Sequence, residues 1–119
     1  SRRGRGTYRL LNEYERDGIV IINLDYNLFE STVTTFREDM ESLIEQGKIN
    51  IVLNLKEVSY ITSMGQSVLC ALKRDLDPKN GWIRLTCVEP DLLKILAITK
   101  LIELFDVFDT VDEAVTFEV

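Results

Sequence analysis

The sequence predicts an α/β fold in which a mixed β-sheet, opened by an N-terminal hairpin, packs against about four α-helices.

 

Two observations lead to this prediction. After an opening pair of short strands, apolar runs of strand length alternate with segments whose apolar residues recur every three or four positions. The chain also has 119 residues, which is enough for one domain whose core needs no disulfide or metal. Such alternation is typical of parallel strands that are joined by right-handed crossover helices.

Two short segments predict the opening hairpin. Residues 8–14 alternate weakly between apolar and polar side chains, and residues 18–24 are rich in isoleucine and valine, as strands are. Arg16-Asp17-Gly18 supplies turn residues between them. The two strands are therefore expected to pair directly.

The first helix is predicted over residues 30–46. Ser31 or Thr32 is expected to cap its start, and Gly47 is expected to end it. Its apolar residues lie three and four positions apart, which places them on one face: Val33, Phe36, Met40, Leu43 and Ile44.

Residues 49–55 predict a strand at the centre of the sheet. Isoleucine, valine and leucine crowd this run, which has no polar face apart from Asn50 and Asn54. A strand with that composition is typically covered on both sides.

A helix is predicted over residues 63–76, directly after this strand and a short connection. Thr62 and Ser63 lie at the N-cap position, where a hydroxyl satisfies the first N–H groups of a helix. A serine at such a corner is expected to be exposed and available to a partner. Turn residues at 77–81 end the helix. Its inward face is predicted to carry Val68, Leu69, Leu72 and Leu76.

Four further elements complete the predicted order. They are a strand over residues 82–88, a short helix near 91–98, a strand near 104–107 and a last helix that begins at Thr110. Thr110 and Glu113 have the spacing of a capping box.

The charge of the chain argues against nucleic acid as a partner. Twenty acidic and 14 basic residues give a formal net charge of −6, so the protein repels phosphate backbones and anionic membrane surfaces.

Residues 1–7 are basic and glycine-rich, and they are interpreted as a disordered tail or expression remnant before a domain over residues 8–119. No apolar run approaches the roughly 20 residues of a membrane helix, and no secretory signal is present. A cytoplasmic protein is therefore expected.

The sequence does not favour an enzyme, a metal site or a cofactor site. It contains no histidine, which is the commonest metal ligand in proteins. It also has no glycine-rich phosphate loop, CxxC pair or arrangement of nucleophile and base. Glu57 and the other acids are interpreted as solvated surface. Cys70 and Cys87 lie in separate predicted elements and are interpreted as buried thiols.

One short segment contains Val58, Tyr60, Ile61, Ser63 and Gly65. Their spacing resembles the core of STAS domains, the fold of bacterial anti-sigma factor antagonists. That pattern runs from an apolar strand through x-x-V-x-[FY]-[ILM]-D-S-x-G into an apolar helix. Further segments are similar to the family's next strand, its following helix and its closing run: 82–88, 89–96 and 101–114. The resemblance covers roughly residues 8–117 and implies the STAS fold.

The resemblance also implies a role in protein–protein regulation. Family members bind an anti-sigma factor that is a serine kinase, and this kinase phosphorylates the serine that Ser63 matches. Ser63 is therefore the implied phosphorylation site, with Thr62 as a secondary candidate, and the added charge would expel the partner. The alternative is a non-phosphorylated STAS subunit of a lipid-transport or stressosome-like assembly. The sequence is also compatible with a homodimer.

Several positions depart from the family pattern. Thr62 stands where an acid usually precedes the serine, and the family's early G-x-L-D loop reads Tyr26-Asn27-Leu28-Phe29, without its glycine and its acid. The predicted site is therefore less polar than is usual in the family. Lys100 replaces a glycine near the end of the third helix, which is expected to remove a left-handed cap.

The predicted partner-binding surface surrounds Ser63. Tyr26, Phe29 and Met64 are expected to cluster there, either as an exposed apolar surface for a partner or as side chains that fill the loop. Gly65 is expected to permit a close approach at the helix start. The full predicted set is Tyr26, Phe29, Ser59, Thr62, Ser63, Met64, Gly65 and Gln66.

Overall fold

A computed structural model describes residues 11–118 of the chain. The strands are β1 (Asn12–Arg16), β2 (Ile19–Asn23), β3 (Asn50–Asn54), β4 (Trp82–Thr86) and β5 (Asp106–Phe108). The α-helices are α1 (Glu30–Glu45), α2 (Ser63–Leu76), α3 (Pro90–Ile98) and α4 (Val111–Thr116). Short 3₁₀ turns follow α2 and α3, at Asp77–Lys79 and Leu101–Leu104. The predicted boundary between a tail and the domain, at residue 8, lies outside the described residues.

The five strands form one mixed sheet in the order β1-β2-β3-β4-β5. β1 and β2 pair antiparallel, and each following pair is parallel. β3 lies at the centre, with Ile51 opposite Val20 of β2 and Ile83 of β4. The predicted mixed sheet, with its opening hairpin and central third strand, is confirmed. The carboxyl ends of β2 to β5 share one edge of the sheet, called here the carboxyl edge.

A tight turn closes the hairpin. Asp17 and Gly18 have φ angles of 54° and 81°, and Arg16 pairs directly with Ile19. Two left-handed residues match the twist of the flanking strands, so the ladder continues up to the turn. β1 therefore extends to Arg16, whereas the prediction ended it at residue 14. Residues 8–10 of the predicted strand lie outside the described part of the chain.

Both faces of the sheet are covered by helices. On one face, a large cluster of buried side chains joins the sheet to α1, α2 and α3, and it includes Phe36, Leu69 and Leu96. On the other face, α4 covers a smaller cluster: Ile19, Ile21, Val52, Ala114 and Val115. Strands that are covered on both sides read as nearly continuous apolar runs, which is why β2 and β3 have that sequence.

The start of α1 differs from the prediction. Phe29 is the N-cap residue, and neither Ser31 nor Thr32 takes that position. Thr32 lies in the first turn, where its hydroxyl accepts the Phe29 N–H at 3.0 Å and donates to the Asn27 carbonyl at 2.7 Å. The threonine thus supports the helix start from inside the helix. At the other end, Gly47 has a φ of 86° and ends the helix as predicted.

The strand predicted near residues 104–107 is displaced along the chain. Leu101–Leu104 form a 3₁₀ turn instead, and β5 begins only at Asp106. Leu101 and Phe105 are buried, whereas Glu103 midway between them is exposed. A strand would place all three side chains on the same face, because its side chains alternate with a period of two residues. This burial pattern does not fit a strand and agrees with the turn.

Lys100 and Cys87 are two of the four described non-glycine residues that adopt the left-handed conformation. Lys100 has a φ of 68°, so the conformation that was expected to be lost with the family's glycine is kept. Cys87 has a φ of 58°, which ends β4 at Thr86 although the prediction extended that strand to residue 88. Cys87 and Cys70 are both free thiols of intermediate burial, so they are less enclosed than predicted.

A buried arginine holds α4 against the sheet. Arg84 on β4 is only 5% exposed, and its guanidinium carbon lies 3.7 Å from the centre of the Trp82 ring. Its Nη1 donates to the carbonyl oxygens of Ala114 at 2.8 Å and Phe117 at 3.4 Å. These carbonyls lie where a helix leaves its acceptors unpaired and where its dipole favours a cation. The pKa of Arg84 is lowered, because the effect of burial outweighs the opposing effect of the negative charge of Asp106.

We expect Arg84→Met to destabilise the protein by about 2 kcal/mol, because the buried carbonyl of Ala114 would lose its charged donor. Urea unfolding followed by the fluorescence of Trp82 measures the change. The matched control is Arg37→Met on α1, which removes an exposed pair with Glu41 and is expected to cost less than about 0.5 kcal/mol. Equal losses in the two variants would contradict the role of Arg84.

Candidate functional site

Two connections meet at the carboxyl edge of the sheet, after β2 and after β3. They pair there as a short extension of the sheet, with Leu28 and Ile61 forming an isolated parallel bridge. The Leu28 N–H donates to the Tyr60 carbonyl at 3.1 Å, and the Thr62 N–H donates to the Leu28 carbonyl at 3.0 Å. The bridge places the start of α1 beside the start of α2.

Asn27 fastens the two connections together. Its Oδ1 accepts the backbone N–H groups of Ser59 at 2.8 Å and Tyr60 at 3.2 Å, and the Ser59 hydroxyl lies 3.4 Å away. Its backbone carbonyl accepts the Thr32 hydroxyl. One asparagine therefore links the loop after β2, the loop after β3 and the first turn of α1.

Gly65 allows α2 to begin directly against the bridge. A Cβ atom at this position would lie 2.8 Å from Cγ2 of Ile61 and 3.0 Å from Cβ of Leu28, both closer than ordinary contacts. Gly65 is buried, as the prediction of a close approach requires. The absence of a side chain here determines how near the helix start lies to the paired loops.

The two hydroxyls at the start of α2 have different surroundings. Thr62 is the N-cap residue, and its Oγ1 accepts the Gly65 N–H at 3.1 Å. Ser63 is the first residue of the helix, it is exposed, and its hydroxyl forms no hydrogen bond within residues 11–118. The capping role that the sequence allowed to either residue therefore belongs to Thr62.

An exposed apolar surface lies next to Ser63. Phe29, Tyr60 and Met64 are 43%, 44% and 50% exposed, and we call these three residues the apolar patch. The rings of Phe29 and Tyr60 lie 5.9 Å apart between centroids. With their neighbours they line a shallow groove of about 810 Å³, whose other lining residues are Glu30, Ser31, Thr62 and Ser63.

The structure brings together only part of the predicted set. Phe29 and Met64 lie at the groove, as Thr62 and Ser63 do, whereas Tyr26 is half-buried and packs against the core. Tyr26 is therefore not part of the apolar patch, because its side chain packs against the large buried cluster between the sheet and α1, α2 and α3.

The remaining predicted residues support the connection. Ser59 is exposed and contacts Asn27, while Gln66 is half-buried and its side chain donates to the Ile61 carbonyl at 3.3 Å. Sequence reasoning missed Asn27 and Tyr60 as parts of the site. Tyr60 lies between buried Val58 and buried Ile61, and its large apolar ring among such neighbours was the available signal.

The arrangement offers a surface for contact and one accessible hydroxyl. Among the described residues, no three acidic, cysteine or histidine side chains are grouped closely enough to hold a metal ion. No helix in the described range is long and apolar enough to span a membrane.

Comparisons with known proteins give one consistent result. The family model for the STAS domain matches residues 11–114. The chain is 25% identical over 100 residues to the anti-sigma F factor antagonist of Paenibacillus polymyxa, which covers 83% of this chain and 86% of that protein.

Solved structures share the fold. A Thermotoga maritima protein described as an anti-sigma factor antagonist superposes with a TM-score of 0.83 at 21% identity, covering 88% of this chain and 91% of that one. The Bacillus cell fate determinant SpoIIAA in its phosphorylated form superposes with a TM-score of 0.67 at 22% identity, covering 88% of this chain and 96% of that one.

We expect Gly65→Leu to destabilise the protein by about 2 kcal/mol or more, since the new side chain would collide with Ile61 and Leu28 at a packed position. Thermal or urea unfolding measures this loss. Ser67→Leu adds the same side chain to an exposed position of the same helix, where we expect a change below about 0.5 kcal/mol. A Gly65→Leu protein of full stability would show that the close approach is unimportant.

We expect Asn27→Ala to raise the exchange rates of the Ser59 and Tyr60 amides by about tenfold, because both lose the same acceptor. Asn27→Asp keeps an oxygen at that position and is expected to preserve their protection. Amide hydrogen exchange by NMR reads both residues, with the Ile51 amide in β3 as an internal reference. Unchanged amide exchange rates in Asn27→Ala would show that Asn27 does not hold the two connections together.

Proposed function

The chain belongs to the STAS domain family, and on that premise we propose that it is a regulatory module of the anti-sigma factor antagonist type. In this proposal it binds a partner protein through the apolar patch and the start of α2. The partner would be an anti-sigma factor with serine kinase activity or another regulatory protein of the cytoplasm. The role is one of reversible contact and not of catalysis.

The observation that carries the proposal is the exposed hydroxyl of Ser63 beside three exposed apolar side chains. Large apolar residues are costly to leave in water, and aromatic residues and methionine are enriched at the centres of protein interfaces. Ser63 borders the same groove as Phe29, Tyr60 and Met64. A partner that covers this groove would also cover the Ser63 hydroxyl.

Phosphorylation of Ser63 would then regulate the contact. A phosphate adds about −1.5 to −2 charges, which the positive end of the α2 dipole tolerates in the free protein. In the complex the same charge would be buried against apolar side chains, where an unpaired charge is strongly unfavourable. The Thr62 hydroxyl already accepts the Gly65 N–H, which supports Ser63 as the modified residue over Thr62.

A second candidate is a STAS subunit that docks without a phosphorylation cycle, as in a lipid-transport or stressosome-like assembly. Phe29 and Thr62 stand where the family usually has acids beside the serine, and Phe29 is part of the apolar patch. That apolar character favours docking over kinase chemistry. Mass spectrometry of the protein from its own cells, together with the proteins that co-purify in mild salt, separates the two candidates. A phosphate on Ser63 and a co-purifying kinase would support the first candidate. An unmodified Ser63 and a co-purifying transporter or scaffold would support the second.

We expect Ser63→Asp to weaken the complex with the partner so identified by about tenfold or more, because it places a charge in the apolar contact. Its thermal midpoint should change by no more than about 2 °C, since Thr62 still caps the helix and an acid in the first turn is compatible with the dipole. Titration calorimetry and thermal unfolding give the two values.

Ser63→Ala is the matched variant at the same position. It removes the hydroxyl without adding a charge, so we expect binding close to that of the unmodified protein and no phosphate at this position. Unchanged partner affinity in Ser63→Asp would place Ser63 outside the interface.

A further inference from the structure

The carboxyl edge of the sheet is acidic around the apolar patch. The connections that leave β2 to β5 carry four acids against the base Lys56: Asp25, Glu57, Glu89 and Asp109. The first turns of α1, α3 and α4 add Glu30, Asp91, Asp112 and Glu113, of which Asp112 is paired with Arg16. All but Glu89 are exposed, and Glu89 is of intermediate burial and caps α3. The parallel topology brings these connections together, although they are far apart in the sequence.

From this juxtaposition we infer that the surface docks a basic amphipathic segment of the partner protein, with apolar side chains at its centre and arginine or lysine at its flanks. The inference rests on the proposed function and adds the chemistry of the partner. The apolar patch fits the centre of such a segment, and the acids complement its flanks, because interfaces pair potentials of opposite sign around a desolvated core. Glu30 lines the groove itself, so at least one acid lies directly beside the apolar side chains.

The geometry separates two electrostatic effects at this surface. Attraction between exposed acids and a basic flank acts through solvent and is screened by salt. A charge placed on Ser63 would instead lie against the apolar centre, where salt screens it much less. Salt should therefore weaken binding to the unmodified protein, while the penalty of a charge at Ser63 should persist at high salt.

Three synthetic helical peptides of about 18 residues test the chemistry. The first has leucines on one face and arginines on its flanks, the second replaces each arginine by glutamate, and the third replaces each leucine by serine. Binding to the full chain is followed by NMR through the amides of Tyr60, Ser63 and Met64, at low salt and at about 0.5 M salt. We expect the arginine–leucine peptide to perturb these amides and to bind at least about tenfold more tightly than either of the others at low salt. The preference over the glutamate peptide should shrink at high salt.

Paired charge variants locate the acids that matter. The double variant Glu30→Lys, Glu57→Lys reverses two acids at the carboxyl edge. The control, Glu45→Lys with Asp75→Lys, makes the same change in net charge at the C-terminal ends of α1 and α2, away from that edge. We expect the first pair to weaken binding of the arginine–leucine peptide by about tenfold and the second pair to have little effect. Met64→Ser should weaken it at both salt concentrations. Each variant changes exposed side chains, and its amide spectrum shows whether the fold is retained.

The outcomes distinguish this inference from the proposed function. If the glutamate peptide binds at the patch as tightly as the arginine peptide, or if the two charge pairs behave alike, the basic chemistry is wrong and docking at the patch still holds. If no peptide perturbs Tyr60, Ser63 or Met64, both the inference and the docking role of the patch are overturned. Perturbation of these amides by protein concentration alone would identify a second copy of this chain as the occupant and overturn the inference.

Discussion

The bridge between Leu28 and Ile61 is the contact on which the rest of the site depends. It extends the pairing of β2 and β3 beyond the sheet, so that two loops hold one another in register at the carboxyl edge. Asn27 adds one side-chain acceptor, which receives two N–H groups, and Gly65 lets α2 start directly against this pairing. Loops with so many shared hydrogen bonds present their side chains from a rigid base, which lowers the entropic cost of binding.

The division of labour between two neighbouring hydroxyls follows from this rigid base. Because the N–H of Thr62 is paired with the Leu28 carbonyl, its side chain is placed to cap α2. Ser63 is then the first helical residue, and it is exposed, with no hydrogen bond from its hydroxyl to any other residue of the described range. A residue without a structural task can be modified at little cost to the fold, which is the property that a reversible switch requires.

Much of the fold could be predicted from the sequence, because its signals are local. Periodic apolar residues predicted α1 and α2, and the apolar run at 49–55, interrupted only by Asn50 and Asn54, predicted a central strand. The errors occurred where tertiary contacts decided the local conformation. Residues 101–104 form a turn that buries Leu101 and leaves Glu103 exposed, which a strand that also buries Phe105 would not do. Lys100 adopts a left-handed conformation that its own preference does not favour. The clamp of Arg84 on α4 had no sequence signal, since its partners are backbone carbonyls 30 residues or more away.

The sequence by itself determined the order of elements, the central strand and the position of Ser63 at a helix start, because these depend on periodicity, capping and turn residues within short segments. Only the tertiary structure decided which side chains surround Ser63. It moved Tyr26 into the packing of the core, brought Tyr60 beside Phe29, and gathered acids from four connections at one edge. The physical reason is that a surface is built from residues whose proximity depends on strand order and loop pairing, and neither is written in the local pattern of the chain.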